Sequence, residues 1–324
     1  MKKFFIYSFA VAALMLTACN NDEQVMSNAN PDVINLSASL AGPSTRAIAT
    51  GALQNTAFVE GASIHVDVFK MTSTTEYDAT PYTSGNYTAA AADNSGHNAL
   101  SGSLLYPAEN VNIAIKAFYP NSISYSSTSF DVPADQTDEA EYRSADLMYS
   151  DVLVNKARRD ADGQGGNAVT HGLNFHHALS KIIVNVNPKS GDNVGVTQDD
   201  ITANLTAVAI ANTKPTATFT AGALNAITED GAARDISILQ ATGNASSAGI
   251  IVPQTIANGT AFIKITYAGV DYTYSLEAAK TFEGGKVYTF NLTLSAQGLS
   301  LSSTTIGNWT ANDGGDSGTG DFTL

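Results

Sequence analysis

Residues 34–40, INLSASL, alternate strictly: Ile34, Leu36, Ala38 and Leu40 fall on one face, Asn35, Ser37 and Ser39 on the other. That period of two marks a strand with one buried face. SIHVDVF at 63–69 repeats the pattern through Ile64, Val66 and Val68, and NIAIKAFYP at 112–120 continues it through Ile113, Ile115 and Ala117. In the second half KIIVNV, FIKITY, YTYSL and KVYTFNLTL read the same way, divided by turn signals such as AGVD and EGG. No heptad or long amphipathic helix interrupts them. Many short strands with frequent turns predict an all-β chain built as one or two β-sandwiches rather than a βαβ fold. The most loop-like internal stretch, ARRDADGQGGNAVTHG at 157–172, places a domain boundary within about ten residues of 172.

The first residues follow a different pattern. Lys2 and Lys3 precede an apolar run from Phe4 to Leu16 that closes on LTAC. This has the order and length of a secretory signal, too short for a membrane span. Cys19 is the single cysteine of 324 residues, so no intrachain disulfide can form and stability must come from packing. Its place at the end of the apolar run resembles the lipobox of bacterial lipoproteins, which implies a mature chain starting at an acylated Cys19. The acidic NNDE at 20–23 resembles the signals that carry such lipoproteins to the cell surface.

Composition narrows the class. Thirty acidic residues against 16 basic ones give a formal charge of -14, with only 14% of residues charged. An acidic surface disfavours nucleic acid as a partner. The richness in Ala, Ser, Thr, Asn and Gly, with 13 Tyr and 13 Phe, suits an exported all-β protein.

Candidate chemistry is sparse. His171, His176 and His177 lie close in sequence, but neighbours on a strand point to opposite faces, so His176 and His177 cannot readily share one ion. DADGQGGN at 160–167 departs from a calcium loop, with glycine at the fourth place and His171 at the twelfth. Adjacent Asp199 and Asp200 read as a solvated turn. There is no G-x-S-x-G, no second cysteine and no phosphate-binding glycine loop, hence no catalytic constellation, no metal site and no cofactor is expected.

AFYP at 117–120, ADLMYS at 145–150, FHHALSKIIVNV at 175–186, IIVPQT at 250–255, and FEGGKVYTFNLTL at 282–294 followed by IGNW together resemble the fimbrillin family of Bacteroidales-type surface pili. The second-half motifs are the specific ones, and the resemblance spans nearly the whole chain. It implies two β-sandwich domains of transthyretin-like topology in tandem, a structural role in a surface fimbria, and other fimbrial subunits as partners. The division it implies is a signal peptide at 1–18, a propeptide with the first strand at 19–46, one sandwich at 47–172 and a second at 173–324.

Arg46, the only charge between Asp32 and Glu60, gains a meaning from that resemblance. Similar fimbrillins are cut by an arginine-specific protease shortly after the lipidated segment, and STRA matches where the cut between Arg46 and Ala47 would fall. Pro43 and its small neighbours favour an extended, accessible chain. The cut would free the strand carrying Ile34, Leu36, Ala38 and Leu40, withdrawing about 5 to 9 kcal/mol of apolar burial. A neighbouring subunit's strand would then fill the groove by β-augmentation and extend the chain head to tail. The family's donor is the C-terminal region, where LSLSSTTIGNW offers Leu299, Leu301, Ile306 and Trp309. The same residues read equally well as the last strand of their own domain.

The alternative is a monomeric surface lipoprotein anchored in the outer membrane that binds a glycan or host ligand through exposed tyrosines such as those of YDATPYTSGNYT at 77–88. Charge does not separate the two readings. Trimming removes Lys2, Lys3 and Arg46 together with Asp22, Glu23 and Asp32, and leaves the net charge at -14.

Overall fold

The computed structural model describes residues 33–40, 57–109, 111–158, 168–189, 196–241, 245–295 and 298–309. Cys19, Arg46 and Ala47 lie outside these residues, as does the whole calcium-like stretch at 160–167.

In chain order the first half forms β1 (Asn35–Leu40), β2 (Ser63–Lys70), β3 (Thr83–Ala92), β4 (Asn98–Ser101), β5 (Ile113–Tyr119), β6 (Ser129–Asp131) and β7 (Asp135–Gln136). Helix α1 (Glu139–Ser144), β8 (Met148–Ser150), β9 (Leu153–Lys156) and β10 (Thr170–His177) follow. The second half begins with β11 (Ser180–Pro188), α2 (Gln198–Asn204), β12 (Leu205–Thr213), β13 (Thr216–Thr220), β14 (Ala223–Asp230), β15 (Arg234–Gln240) and β16 (Ser246–Ile251). It ends with β17 (Gln254–Ile256), β18 (Ala261–Tyr267), β19 (Val270–Ser275), β20 (Lys280–Phe282), β21 (Lys286–Ser295) and β22 (Gly298–Asn308). The chain is thus all-β.

The first sheet is eight-stranded, in the order β2-β3-β4-β1-β10-β8-β5-β9, and β2 pairs with β5 as well. That extra pairing joins the two layers of the first body into one hydrogen-bonded ring, which leaves only β9 outside it. Its core holds the inward residues of the alternating strands, among them Ile34, Leu36, Ile64, Val66, Val68, Ile113, Ile115 and Phe175. The second body rests on a nine-stranded sheet whose main path is β19-β18-β12-β15-β16-β11-β21-β22, with β7 on β15. A three-stranded sheet, β14-β13-β6, and the β17-β20 pair complete it.

Hydrogen bonding sets where one body changes to the other, a few residues past 172. Residue 172 lies inside β10, which still pairs with β1 and β8 of the first sheet. The chain crosses at Ala178 and Leu179, both buried, and β11 then enters the second sheet between β16 and β21. The first half also reaches into the second body: β6 pairs with β13, β7 pairs with β15, and Ile123, Phe130, Val132, Tyr142 and Leu147 join the second core. Gln136 at the end of β7 is fully buried, and its side-chain amide stands in for a strand partner: Nε2 donates to the Ile250 carbonyl at 2.9 Å and Oε1 accepts from the Ile250 N–H at 2.8 Å.

Both helices are short, under two turns, and capped at their N-termini. Asp138 caps α1 by accepting from the Glu141 N–H, and Thr197 with Asp200 forms a capping box on α2. Asp199 and Asp200 therefore belong to the first turn of a helix rather than to a bare turn, where they complement the helix dipole.

Candidate functional site

β1 occupies a slot inside the first ring. Its burial alternates along its length, with Ile34, Leu36, Ala38 and Leu40 between 0% and 3% exposed while Asn35, Ser37 and Ser39 reach partly outward. It runs parallel to β10, from Asn35 opposite Thr170 to Leu40 opposite Phe175, and antiparallel to β4 over Leu36–Ala38. Two further ties hold its start: the Ile34 N–H donates to the Leu104 carbonyl at 2.8 Å, and the Tyr87 hydroxyl donates to the Ile34 carbonyl at 2.7 Å.

The slot is prebuilt by its neighbours. Phe175 of β10 meets Phe58 edge-on at 4.9 Å, and Phe58 meets Tyr119 at 5.5 Å. Asn98 of β4, fully buried, fixes Phe58 by exchanging two backbone hydrogen bonds with it, each 3.0 Å, and donates a third to Ala90. The wall opposite Leu36 is polar: His171 of β10 is 2% exposed and its Nε2 lies 2.6 Å from the Tyr106 hydroxyl. Burial pushes the His171 imidazole down to about 4, helped by the charge of Lys156. A strand in this position satisfies both ladders; without it β4 and β10 would present unpaired backbone toward each other over an apolar floor.

At the other end of the chain, β22 is an edge strand, antiparallel to β21. Leu292 pairs with Leu301 and Asn291 with Ser303, so Ser302 is an extra, bulged residue. The bulge changes parity. Leu299, Leu301, Thr304 and Ile306 all stand opposite the inward residues Leu294, Leu292, Phe290 and Tyr288, and so share their face. Leu299 and Leu301 are half-buried against the second core, whereas Ile306 is 60% exposed. Trp309 just beyond is 4% exposed: it stacks on His177 and donates its backbone N–H to the Gly285 carbonyl at 2.7 Å. The two sets of residues singled out from the sequence therefore lie in different bodies, Ile34–Leu40 in the first and Leu299–Trp309 in the second.

The remaining candidates separate. His176 faces outward and pairs with Asp151 at 2.9 Å, while His177 faces inward and pairs with Asp146 at 2.9 Å, both partners of the latter being 2% exposed. Among the described residues no group of three or more His, Cys, Asp or Glu could hold a metal ion. The tyrosines of 77–88 do not form an exposed platform: Tyr87 is 1% exposed, Tyr77 is half-buried against Phe69 at 5.1 Å, and Tyr82 alone of the three is exposed. A cleft of about 460 Å³ lies instead where the bodies meet, lined by Tyr149, His177, Leu224, Glu229, Gln254 and Glu283. Asn98 and Gln136 carried no local signal, because each acts through a partner far away in sequence, and His171 stood out only beside His176 and His177, not for its bond to Tyr106.

A family model described as fimbrillin-like matches residues 45–309. No curated protein matches the chain. Among solved structures, a protein from Bacteroides uniformis ATCC 8492, described as a candidate cell adhesion protein, superposes with a TM-score of 0.61 at 18% identity, covering 86% of this chain and 98% of its own. A similarly described protein from Bacteroides ovatus ATCC 8483 gives 0.59 at 15% identity, over 86% and 97%. These likenesses extend over both bodies and concern the fold.

Proposed function

The chain belongs to the fimbrillin-like family, a family of structural components of surface fimbriae, and from that premise we propose that it assembles by exchanging β1 for a strand of a neighbouring subunit. In this reading the protein is exported as a lipoprotein acylated at Cys19 and held at the outer membrane. An arginine-specific protease cuts between Arg46 and Ala47, and the freed segment carries away Ile34, Leu36, Ala38 and Leu40.

The observation that carries the reading is the position of β1. A six-residue strand closes the first ring from inside, buries every second side chain, and ends at Leu40, a few residues before Arg46. Its removal would leave β4 and β10 with unpaired backbone facing each other over an apolar floor, a slot that suits another strand. Leu299, Leu301 and Ile306, on one face of β22 thanks to the bulge at Ser302, are the candidate donor in a neighbouring copy. Head-to-tail repetition of that contact gives a filament rather than a closed ring.

The test is the N-terminal residue and size of protein recovered from the cell surface. A start at Ala47 with a ladder of high-mass species in unboiled samples, both absent for Arg46→Ala, is the expected result. A chain that begins at acylated Cys19 and migrates as a monomer overturns it. That outcome would favour an anchored lipoprotein that binds a glycan or host ligand, for which the cleft of about 460 Å³ beside Tyr149, Glu229 and Glu283 is the site to examine.

A further inference from the structure

His171 is a polar residue built into the wall of an otherwise apolar slot. It stands directly beside Leu36 in the parallel pairing of β1 with β10, both residues on the core face and both 2% exposed. The Tyr106 hydroxyl has one proton, which it donates to the Ala157 carbonyl at 3.0 Å, so at 2.6 Å it accepts from His171 Nε2–H. In this arrangement Nδ1 is the bare nitrogen, and it is buried without a hydrogen-bond partner. Protonation in the closed slot would place both a charge and an unpaired N–H in the core.

The surroundings reinforce that penalty. β1 and β4 contribute no titratable side chain, as their sequences NLSASL and NALS show. The loop after β4 brings Tyr106 and Glu109, and Glu109 pairs instead with Lys70 at 3.1 Å. From β9 and the residues after it come two cations, Lys156, whose charge acts on His171, and Arg158, which lies 5.8 Å from the Tyr106 ring. No carboxylate among these groups is placed to stabilise an imidazolium; the Ala157 carbonyl favours one, and burial with the Lys156 charge outweighs it.

We propose that His171 couples release of β1 to proton uptake, so that mild acid opens the slot for exchange. The closed slot keeps the imidazole neutral and sealed beside Leu36. Once β1 leaves, solvent reaches the ring and Nδ1 takes up a proton that the closed state excludes. The inference rests on the reading of β1 as the segment that leaves, and it adds the condition under which leaving is favoured.

The sign follows from linkage. With a closed-state value of about 4 and an ordinary value of 6.5 in the open slot, the two states bind protons alike above neutrality. As pH falls below the open-state value only the open slot is protonated, and the open population rises about 20-fold between pH 7 and pH 5.

Hydrogen exchange on the mature chain tests this without requiring assembly. After correction for intrinsic exchange rates, protection of the Asn35–Leu40 amides should fall about 20-fold from pH 7 to pH 5 in the native protein and stay level in His171→Gln. An unchanged native profile, or an equal fall in both proteins, overturns the proposal. Should His171→Gln fail to fold, the ring-nitrogen resonances of His171 in the native protein decide: protonation that coincides with loss of β1 protection supports the coupling, and protonation with β1 still protected overturns it. A labelled peptide of residues 33–46 added at pH 7 to protein cut after Arg46 reads the exchange step separately. Its failure to enter the slot would strike the assembly reading, whereas the amide profile strikes or supports only the proton coupling.

Discussion

His177 and Trp309 stack face to face, with ring centroids 3.9 Å apart and planes 5° from parallel. The end of β22 is thereby pinned against the strand through which the chain leaves the first body. Asp146 holds the far side of His177, and Lys181 of β11 lies 5.8 Å from the indole centre. The contact links the junction of the bodies to the strand proposed as donor, since Leu299 and Leu301 cannot leave as part of a complete β22 unless Trp309 also lets go.

Replacing Trp309 with Ala removes a side chain that is 4% exposed, and should cost the second body about 3–5 kcal/mol in urea unfolding. Trp309 is also the sole tryptophan, so its emission reports the anchor directly. A blue-shifted spectrum in the monomer is expected. If β22 donates, the emission should shift on assembly; if the last strand stays home, monomer and fimbria should emit alike.

The slot predicts a polarised loss of stability. Leu36→Ala should destabilise the first body by about 2–5 kcal/mol, because the deleted atoms sit between β4 and β10 in a packed ring. The second body has its own core, to which β1 contributes nothing. Thermal unfolding of the variant should therefore separate into two transitions, the earlier one moved down and the later one unmoved.

Much of this was legible in the pattern of residues, and the limits are physical. INLSASL announced β1 because only one of its faces is buried, and KVYTFNLTL did so for the same reason, whereas SIHVDVF alternates only at its start and buries Asp67 and Phe69 on its other face. The burial at β1 could be counted from Ile34, Leu36, Ala38 and Leu40, but its neighbours could not, because strand order is set by long-range pairing. Gln136 reads as an ordinary loop residue until Ile250 is brought to it, and Tyr87 reads as an exposed tyrosine until Ile34 supplies a carbonyl. Ser302 is the subtlest case: alternation alone puts Ile306 on the opposite face from Leu299, and a single bulged residue reverses that.

Asp67 gives a pH prediction with a definite sign. Burial alone would raise its pKa, but hydrogen bonds with His65, Ser84 and the Tyr125 N–H outweigh burial and hold it below the usual carboxylate value. The hydrogen bond to Asp67, opposed by burial, raises His65 in turn. A carboxyl depressed on folding contributes stability above its unfolded value, and that contribution is lost as pH falls through the folded one. The raised His65 contributes below pH 6.5 and loses its share as pH rises through its folded value. Asp67→Asn should cost about 1–3 kcal/mol at pH 6 and markedly less at pH 3, read from chemical unfolding at each pH.

The two bodies also meet through one tight turn, and its glycine is the place to test whether that contact makes them a single stiff unit. Gly222 joins β13 to β14 with φ +70, and a Cβ there would lie 2.2 Å from the Tyr125 ring. Lys116 of the first sheet donates to the Gly222 carbonyl at 3.3 Å while its ammonium sits 4.8 Å from the centre of the same ring. Both the positive φ and the close approach therefore require a residue without a side chain. Gly222→Ala must strain the backbone by about 1–2 kcal/mol and push the turn off Tyr125. Loss of the contact should leave each core and the β6–β13 and β7–β15 pairings intact yet loosen the junction on this side, which small-angle scattering would record as a slightly broadened distance distribution with unchanged secondary structure by circular dichroism. In the proposed strand-exchanged filament, load passes through the junction of the bodies, so fimbriae built from Gly222→Ala should be shorter or more easily sheared than native ones, and equal shear resistance would show that the turn contributes packing alone.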